Sequence, residues 1–259
     1  MTDILIPDFV ITLLIFLRII AMFSAAPILS HKAFPVLGRI LIAAVLAYIS
    51  FITIIKTTNV HVELDFVSIV LNGVKEVITG LMIGFMLNII FYGIDFAGVL
   101  IGIDMGLSMA SVMNPMMETE STAIGELLNI FGTLLFFLIN GHHYLIRAIV
   151  VSFKVISIGK YTVTEPAFQL LIKYSAMIFI IAIKMAAPIM VSFFLINLAE
   201  GIISRAIPQM QVFFVTQPLK IGIGFILLIA SLPVYVYFIN NLLSSFENSL
   251  YELIRAMGT

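Results

Sequence analysis

Apolar residues run along this chain in blocks too long for helices that each show one face to water. Six blocks stand out, at 9–30, 34–55, 66–103, 124–153, 168–199 and 219–243. A helix needs about 20 mostly apolar residues to cross the hydrocarbon of a bilayer, so each block is long enough to span one. The third is nearly twice the necessary length, which leaves either one long tilted helix or a hairpin broken near Gly93. More polar connections fall at 56–65, 104–123, 154–167 and 200–218. The pattern changes at the end of the chain. Phe246, Leu250, Leu253, Ile254 and Met257 recur at helical spacing against Glu247, Glu252 and Arg255. That spacing predicts an amphipathic helix lying on a membrane surface, against a partner, or packed on its own chain. The expected fold is all-α and membrane-type, built from hydrophobic helical hairpins with kinked helices. One hydrophobic domain covers 1–243, with a connecting loop near 104–122, and the amphipathic helix occupies 244–259.

Composition strengthens this picture. Apolar residues make up 62% and charged residues 10%, with a mean hydropathy of +1.20; soluble domains have about a quarter charged and roughly half apolar residues. Lipid or partner chains must cover the excess apolar surface. A net charge of −1 provides no basic field, so no nucleic-acid partner is expected. The absence of cysteine excludes disulfides, thiolate metal sites and a cysteine nucleophile. Asp3 and Asp8 stand where a cleavable signal needs positive charge, so insertion through internal segments is expected. Lys32 and Arg39 weakly place the first connection in the cytoplasm. The 104–126 connection carries only acids, namely Asp104, Glu118, Glu120 and Glu126.

Charges inside the apolar blocks complicate a purely lipid-facing bundle. They are Arg18, Arg39, Lys75, Glu76, Asp95, Arg147, Lys154, Lys173 and Lys184. Each would cost roughly 2.5–3.5 kcal/mol at a helix centre unless paired or snorkelled. Arg18 and Lys184 lie near the middle of their blocks, where snorkelling helps least. Asp95 with Lys75, or Glu76 with a lysine, are possible buried pairs. Any single charge is more simply a satisfied pair or an end-of-helix snorkel, but together they point to a subunit of an assembly. Gly98, Gly102 and Gly106 repeat every four residues, as do Gly80 and Gly84. Such stripes let helix backbones approach closely where water supplies no driving force, so packing is their expected role. Pro27, Pro35, Pro188, Pro208, Pro218 and Pro233 fall in or beside helical runs and predict bends or stops.

The stretch from Gly102 to Ser121 is rich in methionine. Met105, Met109 and Met113 repeat every four residues, Asn114-Pro115 interrupts them, and Met116 and Met117 follow. Methionine is flexible and polarisable, so a ring of such side chains can close a pore around varied substrates; at helical spacing it is more often ordinary core. Catalytic signals are missing. His142-His143 is the one candidate metal pair, but adjacent histidines point to different helix faces and no carboxylate stands at ligand spacing. There is no nucleophile elbow, Walker loop or dinucleotide fingerprint, and Ser204-Arg205 is no hydrolase arrangement. Neither a cofactor nor an enzymatic activity is expected.

Several ordered patterns resemble the FliR family, the R component of the flagellar type III export gate, related to the T component of virulence secretion systems. They begin with Arg18, Pro27, Pro35 and Arg39, followed by Glu76 with Gly80 and Gly84. Next come Ala97-Gly98, Asp104, Gly106-Leu107 and Asn114-Pro115, then Asn140-Gly141-His142 with Ser152-Phe153. The last comprises Ala187-Pro188, Gly201 to Arg205, and Pro208-Gln209-Met210 running into Val212-Phe213. At one position, where the family usually has Asn, Gln211 stands here and keeps the amide with a longer reach. The resemblance implies a subunit that joins P and Q subunits in a helical, pore-containing gate. Unfolded export substrates would cross that gate, driven by proton motive force and a separate ATPase. It further implies the export-switch B protein, the A-type export protein and rod components as partners, in the bacterial inner membrane and the flagellar basal body. The methionine stretch, roughly Asp104–Thr122, becomes a plug in the closed gate, with Met105, Met109, Met113, Asn114, Pro115, Met116 and Met117 as its gasket. Arg18, Arg39, Glu76, Asp95, Lys184 and Arg205 become buried charges or subunit contacts. A secondary transporter, an intramembrane enzyme using His142 or His143, and an injectisome gate subunit are the competing readings.

Overall fold

The computed structural model describes residues 2–30, 34–55, 65–107, 122–160, 164–207 and 212–258. These residues form helices, with no strand among them. In chain order they are α1 (Thr2–Ala25), the short α2 (Pro27–Ser30), α3 (Val36–Ile55), α4 (Phe66–Asp104), α5 (Ala123–Leu138), α6 (Gly141–Val155), α7 (Glu165–Ala206) and α8 (Val212–Gly258). Among the described residues, five helices are long and apolar enough to cross a membrane, and the broken pair α5–α6 would raise the number to six.

The helices are longer than the apolar blocks alone suggest. The third block is a single helix of 39 residues. Helix α7 covers 42 residues and runs through Pro188 to Ala206, and α8 starts at Val212, so much of the expected connection at 200–218 is helical. Helix α8 continues through Pro218 and Pro233 into 244–258, so the amphipathic tail is the end of a longer helix. The fourth block is broken where Asn140 adopts a left-handed backbone, φ 58, a conformation that asparagine tolerates better than most residues.

The chain divides into two compact units. The first comprises 1–89, 140–175 and 244–259, and the second 90–139 and 176–243. In the first unit, α1 buries the stripe Leu14, Ile15, Arg18, Ile19 and Met22, spaced as one helix face. On α4, Ile83 and Leu87 are also buried. The contact is backbone-close. A Cβ on Gly80 would strike the Arg18 carbonyl and come within 2.9 Å of the Ala21 Cβ, and one on Gly84 would meet the Met22 carbonyl and the Ala25 Cβ. The Asn88 amide donates to the Ala25 carbonyl at 2.8 Å, satisfying one acceptor that the end of α1 leaves open. The end of α8 buries Phe246, Leu250, Leu253, Ile254 and Met257. It is tied within this unit by Thr164 donating to the Ala256 carbonyl at 2.7 Å and Tyr174 to the Glu252 carboxylate at 2.6 Å. Of the three roles open to the tail, its apolar face is therefore used on its own chain. Helix α3 is the opposite case. It buries Ala43 and Ala47 and leaves Val36, Leu37, Leu41, Val45, Tyr48 and Ile49 exposed, an apolar surface suited to lipid or another subunit.

The second unit is built on a glycine crossing. A Cβ on Gly98 of α4 would run into the Gly125 backbone of α5. Gly93 packs against α7, where an added Cβ would lie 2.7 Å from the Ile181 side chain. Close packing, without a break in the helix, accounts for that glycine. Phe91 and Phe136 meet edge to face, 6.4 Å between centroids, and Thr122 caps α5 by accepting from the Gly125 amide at 3.1 Å.

Glycines in contact and glycines in open space should respond oppositely to the same change. Gly80→Ala should destabilise by about 1–3 kcal/mol through overpacking. Gly222→Ala, where nothing lies within 4 Å, should be neutral or stabilise by about 0.5–1 kcal/mol. Thermal unfolding followed by helical circular dichroism in detergent distinguishes them; equal shifts would refute the close-contact reading.

Candidate functional site

Each unit holds a concentration of polar groups amid apolar helices. In the first it is centred on Arg18, which is 2% exposed, and Glu76, which is fully buried. The pairing is bidentate: Arg18 Nε donates to Glu76 Oε2, and Nη2 to Oε1 at 3.0 Å. Nη1 reaches Ser152 Oγ and the Ile156 carbonyl, each at 3.3 Å, and the guanidinium lies 4.2 Å from the centroid of the Phe153 ring. The fork of Arg18 donors is thus used by a carboxylate, a hydroxyl and a carbonyl, with an aromatic face alongside. The turn after α6 is held by the neighbours of this pair. Gly159 donates its N–H to Glu76 Oε1 at 2.8 Å, and its carbonyl accepts from Lys75 Nζ at 3.2 Å. Gly159 has φ +72, and a Cβ there would collide with the Asn72 side chain. Only glycine fits without strain.

The second concentration surrounds the end of α4. Gly106 (φ +78) donates to the Ile103 carbonyl and Leu107 to the Gly102 carbonyl, each at 2.9 Å. This pair of bonds closes a helix with a left-handed glycine. Gly106 therefore stands just past the end of α4, unlike Gly98 and Gly102 within it. The Met105 carbonyl accepts from Gln217 Nε2 of α8 at 3.0 Å. The Met105 side chain is fully buried against Gly224, where a Cβ would lie 2.6 Å from its terminal methyl. One turn along from Gln217, Lys220 is 7% exposed and donates to Asn197 Oδ1 and Glu200 Oε2 of α7, each at 2.7 Å.

The remaining expected residues are dispersed. Met109, Met113, Asn114, Pro115, Met116 and Met117 lie outside the described residues. Asp95 is partly buried and accepts from Asn129 at 3.1 Å; neither Lys75 nor Glu76 uses the partner that sequence suggested. Arg39 is partly buried, while Lys184 and Arg205 are exposed on helices with apolar exteriors. His143 is exposed and His142 partly so, their rings 4.3 Å apart. Sequence reasoning does not single out Gln217, Lys220, Glu200, Asn197 or Gly224. Their signal was present in the spacing of 217, 220 and 224, one helix face, but 200–218 reads as a connection. Gln217 and Lys220 then look like residues at the edge of a span.

The family described as bacterial export proteins, family 1, matches residues 9–246. The chain belongs to this family. The match takes in both polar centres. Flagellar biosynthetic protein FliR of Bacillus subtilis is 34% identical over 250 residues, covering 95% of each chain. The protein of the same name from Escherichia coli is 29% identical, over 92% of this chain and 90% of its own. That of Aquifex aeolicus is 28% identical, over 90% of each.

In this export-family chain the Arg18–Glu76 pair is expected to behave as a unit. Arg18→Met leaves a buried carboxylate with little compensation and should cost about 3–5 kcal/mol, whereas the double change Arg18→Met with Glu76→Met should cost less than the single one. Unfolding midpoints of the purified variants, with membrane abundance as a second readout, check this. A double variant worse than the single would disprove the pairing argument.

Proposed function

We propose that this chain is a membrane-embedded, non-catalytic subunit of the flagellar protein-export apparatus. In this reading it forms, with P- and Q-type subunits, the pore through which unfolded flagellar proteins are secreted. The observation that carries the proposal is the family match over 9–246, joined by relatives that align across nearly their whole length under the name flagellar biosynthetic protein FliR. The site is the bacterial inner membrane within the flagellar basal body. The export-switch B protein, the A-type export protein and rod components are further partners of the assembly.

The physical features favour subunit contact over a self-sufficient carrier. Lys184 and Arg205 are exposed on apolar helices, positions that an acyl environment penalises and a neighbouring polypeptide can satisfy. Helix α3 offers an almost uncovered apolar surface. The methionine stretch within 104–122 is the proposed plug, whose adaptable side chains seal the resting pore without demanding one substrate shape. Gly80, Gly84 and Gly98 let their helices meet at backbone contact.

Deleting the gene should abolish flagellar filaments, and the tagged protein should co-purify with the P and Q subunits. Normal filaments in the deletion strain would overturn the flagellar assignment. Removing Met105–Met117 should make the membrane leaky to small ions while secretion partly persists; unchanged permeability would mean that this stretch does not seal the pore.

A further inference from the structure

Helix α4 ends at a point that its own sequence does not fully secure. The left-handed Gly106 closes the last turn through the Ile103 and Gly102 carbonyls, which leaves the Met105 carbonyl to be satisfied from elsewhere. It is satisfied by a side chain 112 residues away, Gln217 Nε2, at 3.0 Å. The Met105 side chain is buried against Gly224. Residues 217 and 224 are seven apart on α8, two turns on the same face, so Met105 is gripped above and below.

That face is itself anchored. Lys220 lies between Gln217 and Gly224 in sequence and binds Asn197 and Glu200 of α7, each at 2.7 Å. With its ammonium buried, Lys220 cannot leave those oxygens without an unpaired charge in an apolar setting. Rotation of α8 that would withdraw Gln217 must therefore break the Lys220 pair as well.

We propose that Gln217 is a positioning residue: its amide, backed by the Lys220–Glu200 pair, fixes where the chain leaves α4 and thereby sets the resting ion tightness of the export pore. This rests on the plug reading above. Gly106 belongs to the device because its backbone lies directly against the Gln217 amide, where a Cβ would collide with it. Gln217 is only half-buried, so its substitution removes the donor without opening a large cavity.

The test uses cells assembling the complete export complex, with resting proton and potassium permeability read by pH- and potential-sensitive dyes. Gln217→Leu should raise the leak roughly three- to tenfold, the ratio that loss of one net hydrogen bond allows, at unchanged membrane abundance. Gln217→Glu keeps the length, removes the donor and should leak likewise; it serves if the leucine variant is not assembled. The chain has no cysteine, so adding M105C and G224C to the Gln217→Leu background offers a reversible bridge at the Met105 contact. Oxidation should restore tightness and a reductant should abolish it, a reversal that a folding defect would not show. Wild-type tightness in both Gln217 variants, while the Met105–Met117 deletion leaks, would overturn the clamp and leave the plug intact. A leak that persists in the verified disulfide form would also overturn it. No leak in the deletion itself would sink the plug reading and the clamp together.

Discussion

A guanidinium and a carboxylate buried in apolar helices impose the strictest condition on the first unit. Neither Arg18 nor Glu76 can reach water, so each must find its counter-charge and its hydrogen bonds inside the protein. The solution uses three segments: α1 supplies the cation, α4 the anion, and the end of α6 with its turn supplies Ser152, the Ile156 carbonyl, Phe153 and the Gly159 amide. The apolar packing around the pair could tolerate other arrangements of similar volume. The charges tolerate far fewer. Close approach at Gly80 places the α1 backbone directly against α4, and this intimacy keeps Arg18 within reach of Glu76.

The second unit solves a related problem at the end of a helix. Backbone carbonyls that a terminus leaves open need donors, and in an apolar setting water is not reliably there to provide them. Gly106 and Gln217 provide for the end of α4, and Lys220 with Glu200 and Asn197 keeps the donor's helix in place. Polar groups in both units are spent on holding segments to each other. Much of the outward surface is left to large apolar side chains, among them those of α3 and α7.

That division recasts the hydrophobicity of the chain. Apolar exteriors carrying isolated exposed cations such as Lys184 and Arg205 fit a protein that presents much of its surface to other subunits. Membership of a bacterial export family gives that surface a natural use in an assembly that moves proteins.

Class and span pattern were legible from the sequence, because hydrophobic length and composition are local quantities. Blocks of more than 20 apolar residues can be little else than helices in an apolar environment. The close-packing glycines at 80, 84 and 98 were legible for the same reason, since a missing side chain matters wherever backbones meet, whereas a Cβ on Gly102 would make only ordinary contact with the Thr122 side chain. Tertiary structure decided the rest. Arg18 and Glu76 are 58 residues apart, and Met105 and Gln217 are 112 apart; a single sequence offers many charges and amides that could have been chosen instead. The break at Asn140, the continuation of α8 into the amphipathic tail, and the use of Gly106 as a helix terminator likewise turn on contacts or backbone angles that periodicity does not encode. What the chain determined alone was which surfaces must be removed from water. Which polar group answers which was decided only when the helices packed, because a buried charge or an open carbonyl is satisfied by geometry and not by composition.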